Sequence, residues 1–211
     1  MDKETVKKAL TELKQSPRKF SQSYDLVINL KNLDVKTHPV DIFVTMPHGK
    51  GKKVKIAAFV GQEMAEQAGK VCDLVIRETE FSGYPKKAAK KLAEQYDYFI
   101  AQANLMGKVA GAFGKVLGTK GKMPNPKQGC VVPPSANLEP LVKRLGQTVR
   151  LQAKKATNMQ CMVGKDTQPD DEIAANVLSV YNAVVKQLPN EMQNVKNVAL
   201  KLTMSKPVKL W

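Results

Sequence analysis

The segment VKIAAFVGQEMAEQAGKVCDLVI, residues 54–76, decides the fold class of the chain. Residues 54–60 and 72–76 are apolar and rich in β-branched side chains, which is typical of strands buried in a sheet. Residues 62–68 between them have the pattern of a helix. A strand, a helix and a second strand in this order predict two parallel strands joined by a crossover helix.

The same alternation continues beyond this segment. It predicts helices at 85–95, 104–116 and 137–145 and strands at 98–101 and 131–132. Pro85 stands in the first turn of its helix, where a backbone N–H has no partner in any case. We therefore expect residues 50–147 to form domain II, a Rossmann-like α/β domain of three layers with helices on both faces of a parallel sheet.

The two ends of the chain have a different pattern. They predict helices at 2–14 and 169–188 and strands at 24–30, 40–46, 148–152, 160–163 and 195–204. Long strands that return through polar turns are typical of antiparallel pairing. We expect residues 1–49 and 148–211 to form domain I, an α+β sandwich, with domain II inserted through linkers near Gly49 and Gly146. The predicted fold class is thus α/β with two domains.

The charge balance indicates an anionic partner. Lysine and arginine total 34 against 19 aspartate and glutamate residues, which gives a net charge of +15. Such an excess attracts phosphate backbones or anionic membrane surfaces. Residues 98–138 and 192–211 contain no acid, which favours a nucleic acid. The lysine-rich segment PKKAAKK is followed by no large apolar face, so a membrane-surface helix fits poorly.

Localisation follows from two further patterns. No apolar run is long enough to span a bilayer. The first residues, MDKETVKKAL, lack the apolar core of a signal peptide. We therefore expect a cytoplasmic protein without a membrane partner.

The cysteines and histidines do not suggest a metal site. Cys72, Cys130 and Cys161 have neither the spacing of metal ligands nor that of a disulfide framework, and His38 and His48 are the only histidines. We expect ordinary thiols in a reducing compartment and no bound metal.

The stretch GKVLGTKGKMPNPKQG, residues 114–129, resembles a loop that holds phosphate. A P-loop requires a Ser or Thr directly after its Gly-Lys pair, because that hydroxyl binds magnesium, and Met123 stands there. The residues after the first strand of domain II, VGQEMAEQAG, do not form a dinucleotide fingerprint either. The acids are spread over helix starts, so we find no catalytic constellation. The sequence predicts no enzyme and no cofactor.

Thr203, Met204 and Ser205 are candidates for close contact with RNA. Their small or slender side chains lie at the predicted end of a strand, and a hydroxyl can bond a ribose 2′-OH. The residues alone leave open whether Met204 contacts RNA or is the last core residue of its strand.

Several motifs in the chain are those of a known family. They are MGKVAGAFGKVLGTKGKMPNPKQG at 106–129, MPHGKGK at 46–52, VGK at 163–165, DEIAANV at 171–177 and LTM at 202–204. Together they span nearly the whole chain in the order of the family. The chain resembles the L-one family of large-ribosomal-subunit proteins in its archaeal form.

The resemblance implies a structural constituent of the 50S subunit. Members of the family have the two-domain arrangement predicted above, with no dinucleotide in the Rossmann-like domain. They bind 23S-type rRNA at the base of the mobile stalk near the exit (E) site and help release deacylated E-site tRNA. Many also bind a similar structure in their own mRNA leader and repress its translation. The resemblance therefore places the protein on the cytoplasmic ribosome.

The resemblance also implies the residues that bind rRNA. By motif these are Lys19, Phe20, Ser23, Lys165, Thr203, Met204 and Ser205. Ser205 replaces a glycine of the family pattern, and Gln22 replaces an acid. Lys120, Lys122 and Lys127 are expected to make only secondary RNA contacts. Two alternatives remain at this point: a non-specific nucleic-acid-binding protein, and an enzyme that acts on a phosphorylated substrate through the Rossmann-like domain.

Overall fold

The computed structural model describes residues 1–15, 18–35, 37–154 and 156–211. The chain forms two compact units. The terminal unit consists of Met1–Lys52 and Gln147–Trp211, and the inserted unit consists of Lys53–Gly146. The predicted α/β fold class is confirmed. The role of domain I as the main rRNA-binding domain stays a prediction.

The terminal unit contains two antiparallel sheets. Its helices and strands are α1 (Lys3–Lys14), β1 (Ser23–Leu30), β2 (Val40–Thr45), β7 (Thr148–Ala153), β8 (Asn158–Lys165), α6 (Asp170–Gln187), β9 (Val195–Leu202) and β10 (Val208–Lys209), numbered in chain order with those of the inserted unit. One sheet has the strand order β10-β9-β1-β8, and the other pairs β2 with β7.

The core of the terminal unit lies between its helices and strands. Along β1 every second residue is buried, from Tyr24 to Leu30, which is the pattern of a strand with one covered face. The predicted stripe of α1 is buried as well, at Val6, Ala9, Leu10 and Leu13. These side chains share one apolar cluster with those of α6. At the start of α6 the acids of the first turn pair with α1, since Asp171 contacts Lys3 at 2.7 Å and Lys7 at 2.8 Å.

The inserted unit is built on a parallel sheet. Its elements are β3 (Ile56–Val60), α2 (Gln62–Val71), β4 (Leu74–Arg77), α3 (Lys86–Gln95), β5 (Tyr98–Gln102), α4 (Met106–Thr119), β6 (Val131–Val132) and α5 (Glu139–Gln147). The strand order is β4-β3-β5-β6. One apolar cluster joins α3 and α4 to the sheet and another joins α2 and α5, so helices cover both faces as predicted.

Among the predicted boundaries that are wrong, two lie in the candidate binding segments. The helix predicted to end at residue 116 runs to Thr119, so residues 114–119 of the lysine- and glycine-rich stretch 114–129 are helical. The apolar spacing of Val109, Phe113, Val116 and Leu117 explains this, because all four are buried on one side of α4. The strand predicted for 195–204 ends at Leu202, which leaves residues 203–205 in a turn.

Candidate nucleic-acid interface

Three strands of the terminal unit bring the predicted rRNA-binding residues to one end of a sheet. β1 begins at Ser23, and the antiparallel register places Ser23 opposite Lys165, the last residue of β8. On the other side of β1, Tyr24 lies opposite Leu202, the last residue of β9. The residues that precede β1 therefore lie beside those that follow β8 and β9. We call the seven predicted residues the sheet-end cluster: Lys19, Phe20, Ser23, Lys165, Thr203, Met204 and Ser205.

Thr203 is fixed directly to Ser23. Its backbone N–H donates to the Ser23 carbonyl at 3.1 Å. The two hydroxyl oxygens lie 3.0 Å apart, and the Ser23 N–H donates to Thr203 Oγ1 at 3.2 Å. These three contacts hold two hydroxyls at one position on the edge of the unit. A paired donor and acceptor of this kind suits a ribose 2′-OH, which both donates and accepts.

Met204 is not the last core residue of β9. Leu202 takes that place in the core, whereas the Met204 side chain is 63% exposed. Phe20 is 52% exposed in the same cluster. Phe20 and Met204 line two grooves that share Leu13, Arg18 and Gln22 in their walls. The sequence left open whether Met204 is the last core residue of its strand, and its exposure shows that it is not.

The turn that carries Met204 is held by Gln22. The Gln22 side chain is only 4% exposed, and its Oε1 accepts a hydrogen bond from the Met204 backbone N–H at 3.1 Å. An acid, which the family pattern places here, would offer the same acceptor oxygen. The amide therefore retains the hydrogen bond without the negative charge.

Asp166 helps to hold this sheet end together, and the sequence did not reveal it. Its carboxylate accepts hydrogen bonds from Ser21 Oγ at 2.6 Å and from the Gln22 N–H at 2.8 Å. Its own N–H donates to the Gln22 carbonyl at 3.0 Å. Asp166 thus joins the end of β8 to the segment before β1. The only signal in the sequence is its place directly after the VGK motif.

Asp166 is an ionised group in this cluster. Burial alone would raise the pKa of its carboxyl, but the hydrogen bonds from Ser21 and Gln22 hold that pKa below its ordinary value. A negative charge therefore lies directly after Lys165 in the chain and lines the same groove as Lys19.

Ser205 fits its position without the conformational freedom of glycine. Positive φ angles occur at Asn32 and Glu191 among the described non-glycine residues, and not at Ser205. Its hydroxyl closes the turn, since Oγ accepts from the Leu202 N–H at 2.8 Å and donates to the Lys206 carbonyl at 3.1 Å. The serine thus supplies a local cap where the family has no side chain.

Lys165 is anchored through its backbone. Its N–H donates to Gln168 Oε1 at 2.9 Å, and Gln168 Nε2 donates to the Gly49 carbonyl at 2.9 Å. Lys165 itself is half-buried at the end of β8. The positive charge of Lys165 is therefore attached to a strand end whose backbone is held in place by hydrogen bonds.

The three lysines expected to make secondary contacts lie in the inserted unit. Lys120 Nζ donates to Glu94 Oε1 at 2.8 Å, and Lys122 Nζ donates to the Tyr96 carbonyl at 2.7 Å. The hydrogen bond from Lys120 lowers the pKa of Glu94. Lys127 is exposed, and its backbone N–H donates to Asn125 Oδ1 at 2.9 Å. Two of these ammonium groups thus already hold partners within the protein.

The cysteines are poor ligands and nucleophiles. Burial raises the pKa of Cys72 and Cys130 to about 11 and that of Cys161 to about 12, so all three are protonated thiols. Among the residues that the structure describes, no group of three or more His, Cys, Asp or Glu side chains is placed to hold a metal ion. In the same part of the chain no helix is long and apolar enough to cross a membrane.

Comparison with known proteins gives a consistent result. The model of the ribosomal protein L1p/L10e family matches residues 11–206. Large ribosomal subunit protein uL1 of Nanoarchaeum equitans is 39% identical over 92% of this chain and 92% of its own length. The protein of the same name from Methanothermococcus thermolithotrophicus is 39% identical over 100% of this chain and 99% of its own. That from Methanococcus vannielii is 40% identical, with 97% and 96% covered.

Proposed function

The chain belongs to the ribosomal protein L1p/L10e family, and on this basis we propose that its terminal unit binds 23S-type rRNA through the sheet-end cluster. It is a ribosomal protein of the large subunit, as its relatives are named. The binding site lies at the ends of β1, β8 and β9. The RNA is that of the mobile stalk near the E site.

One observation carries the proposal. Segments from three distant parts of the sequence meet at a single sheet end, and the register of β1 with β8 and β9 fixes them there. They present exposed apolar side chains, paired hydroxyls and lysines together. RNA recognition uses this combination, because sugars and bases offer hydroxyls and flat apolar faces while the phosphates are anionic.

Each part of the cluster has a role in this proposal. The Ser23 and Thr203 hydroxyls bond ribose 2′-OH groups, and Met204 and Phe20 pack against sugars or bases. Lys19 and Lys165 contact phosphates. Ser205 keeps the turn closed, so that the backbone around Met204 approaches the RNA as a fixed surface.

The same site serves two further roles in the proposal. The protein assists the release of deacylated tRNA from the E site by moving with the stalk, and it represses translation of its own operon by binding the mRNA leader. Because rRNA and leader occupy one surface, they compete. Substitutions in the sheet-end cluster should therefore weaken both complexes by similar factors.

A competition assay tests the proposal. A labelled fragment of the stalk rRNA is bound by the full chain at moderate salt and challenged with an equal mass of unlabelled stalk fragment or of tRNA. We expect the stalk fragment to compete far better than tRNA. If both compete equally and affinity falls steeply with salt, the protein is a non-specific nucleic-acid-binding protein and the proposal is wrong.

The competing hypothesis is an enzyme that acts on a phosphorylated substrate. A crevice of about 650 Å³ in the inserted unit favours it, since Gly61, Arg77 and Gln102 line the crevice at the carboxyl ends of β3, β4 and β5. Ligands of parallel α/β sheets bind at this edge. A screen of nucleotides and sugar phosphates for thermal stabilisation decides the matter, and we expect no stabilising substrate, because the relatives are named as ribosomal proteins.

A further inference from the structure

A groove at the sheet-end cluster is used only at its rim by the contacts proposed so far, which involve Lys19 and Phe20. Its volume is about 450 Å³, and it lies between the end of α1 and the start of β1. Phe20, Leu13 and Leu202 give it apolar walls, and Tyr24 and Asp166 also line it. We call this site the Tyr24 groove. Its volume is within the range of small-molecule pockets and accommodates one flat ring system.

Tyr24 is the unusual member of this groove. It is 0% exposed, and its hydroxyl has no hydrogen-bond partner among the described residues. A buried hydroxyl without a partner is unfavourable, since it has lost its hydrogen bonds to water. The Tyr181 hydroxyl is also buried without a partner, but Tyr24 differs because it lines a groove from which a bound ligand can supply one.

The surroundings of the Tyr24 hydroxyl determine its protonation state. Burial, and then the carboxylates of Asp170 and Asp166, raise the pKa of Tyr24 to about 12. The hydroxyl is thus protonated at any physiological pH, and of these two carboxylates only that of Asp166 lines the groove. Lys14, another lining residue, bonds to Asp170 at 2.5 Å.

The lining residues select the chemical class of the ligand. The ionised Asp166 carboxylate and the apolar walls disfavour a phosphate inside the groove. They suit a nucleobase, whose flat faces pack against Phe20 and Leu13 and whose ring edge carries both donors and acceptors. Outside, Arg18 and Lys19 are exposed lining residues with the charge to hold the phosphates on either side of that base.

We propose that the Tyr24 groove receives one unstacked nucleobase of the bound RNA, with the Tyr24 hydroxyl bonded to the edge of that base. The inference rests on the proposed rRNA-binding function and adds a base-reading site to it. In the free protein the Tyr24 side chain is covered. The base enters beside the exposed Phe20 side chain and packs against it. The groove thereby makes binding depend on the identity of one base and not only on the shape of the backbone.

Paired tyrosine substitutions test the proposal. Tyr24→Phe removes only the hydroxyl that is proposed to bond the base. Tyr181→Phe removes a second buried hydroxyl that has no partner among the described residues, and this residue lies in α6 and does not line the groove. We expect Tyr24→Phe to weaken binding of the stalk rRNA fragment about 3- to 10-fold, the effect of one lost hydrogen bond. Tyr181→Phe should bind as the wild type does. Neither variant should melt at a lower temperature in the absence of RNA.

An abasic scan of the same RNA identifies the ligand. Single bases of the unpaired nucleotides are removed in turn, and each fragment is bound to wild-type protein and to Tyr24→Phe. We expect one position at which removal of the base abolishes the difference between the two proteins. If no position does so, the hydroxyl contacts sugar or phosphate and the base proposal is overturned. It is also overturned if Tyr24→Phe binds like the wild type. If the wild type shows no preference for the stalk fragment over tRNA, the proposed function itself fails.

Discussion

The sheet end of the terminal unit and the segment 106–129 of the inserted unit both carry residues expected to contact RNA, but their side chains are used in opposite ways. In the sheet-end cluster Phe20 and Met204 are exposed, and hydrogen bonds between neighbouring polar groups hold the surface in place. In 106–129 the apolar side chains fill a core, and the Lys120 and Lys122 ammonium groups bond to Glu94 and Tyr96.

The longest motif in the chain, residues 106–129, therefore consists mainly of residues that the fold of the inserted unit requires. Gly121 and Gly129 have φ angles of 64° and 72°, a region that favours glycine. Asn125 caps the turn through the Lys127 N–H. Requirements of this kind fix many residues in a row and make a motif recognisable. A contact surface, in contrast, is assembled from short segments that only the fold brings together.

The largest expected effect is a difference in RNA affinity between alanine substitutions of the two exposed methionines of the terminal unit, Met204 and Met192. Met204→Ala should weaken binding of the stalk rRNA fragment by about 1–3 kcal/mol, because an apolar contact at the centre of the interface is lost. Met192 is 45% exposed but lies outside the sheet-end cluster, so Met192→Ala is the matched control and should bind as the wild type does. Equal affinities for both variants, measured by filter binding, would show that the sheet end is not the interface.

The next largest effect is expected for Asp166, and it concerns the stability of the protein at acidic pH. Because its native pKa is below the ordinary value of about 3.9, the unfolded chain binds more protons between these two values. The stabilisation is complete above the ordinary pKa and is lost as the pH falls through the native one. Asp166→Asn should therefore lower the free energy of unfolding by about 1–2 kcal/mol at pH 7 and show a shallower loss in acid.

Urea unfolding at a series of pH values from 7 to 3 measures the free energy of unfolding at pH 7 and its decrease in acid. Asp2→Asn is a suitable control, since Asp2 is an exposed carboxylate at the start of α1. An Asp166→Asn protein as stable as the wild type at pH 7 would mean that the link between β8 and the segment before β1 does not hold the cluster together.

The architecture was predictable wherever the pattern was local. The strand and helix periods of residues 54–76 fixed a parallel sheet, because each period depends on neighbours within a few residues. The end of β9 was not predictable, since it depends on the hydrogen bond between the Met204 N–H and Gln22 Oε1, residues 182 positions apart.

The difference between local patterns and contacts distant in sequence also explains how much of the candidate site was predictable. The seven residues of the sheet-end cluster came from short motifs, and the sequence could not show that Thr203 bonds to Ser23. Asp166 was missed because its function is to bind backbone and side-chain groups of Ser21 and Gln22, which leave no periodic signal. Tyr24 was assigned to a strand correctly, but an unpartnered hydroxyl is visible only in the packed structure.

The smallest expected effect is that of a single lysine in the inserted unit. Lys127→Ala removes at most one exposed phosphate contact, so stalk-fragment affinity should fall no more than about twofold at cellular salt, and the slope of log affinity against log salt should decrease by about 1. Lys70, an exposed lysine of α2 bonded to Glu66 at 3.3 Å, provides the matched control, and Lys70→Ala should leave the slope unchanged. A tenfold loss for Lys127→Ala alone would mean that the segment 106–129 holds the RNA as firmly as the sheet end, because a screened surface charge cannot account for so large an effect.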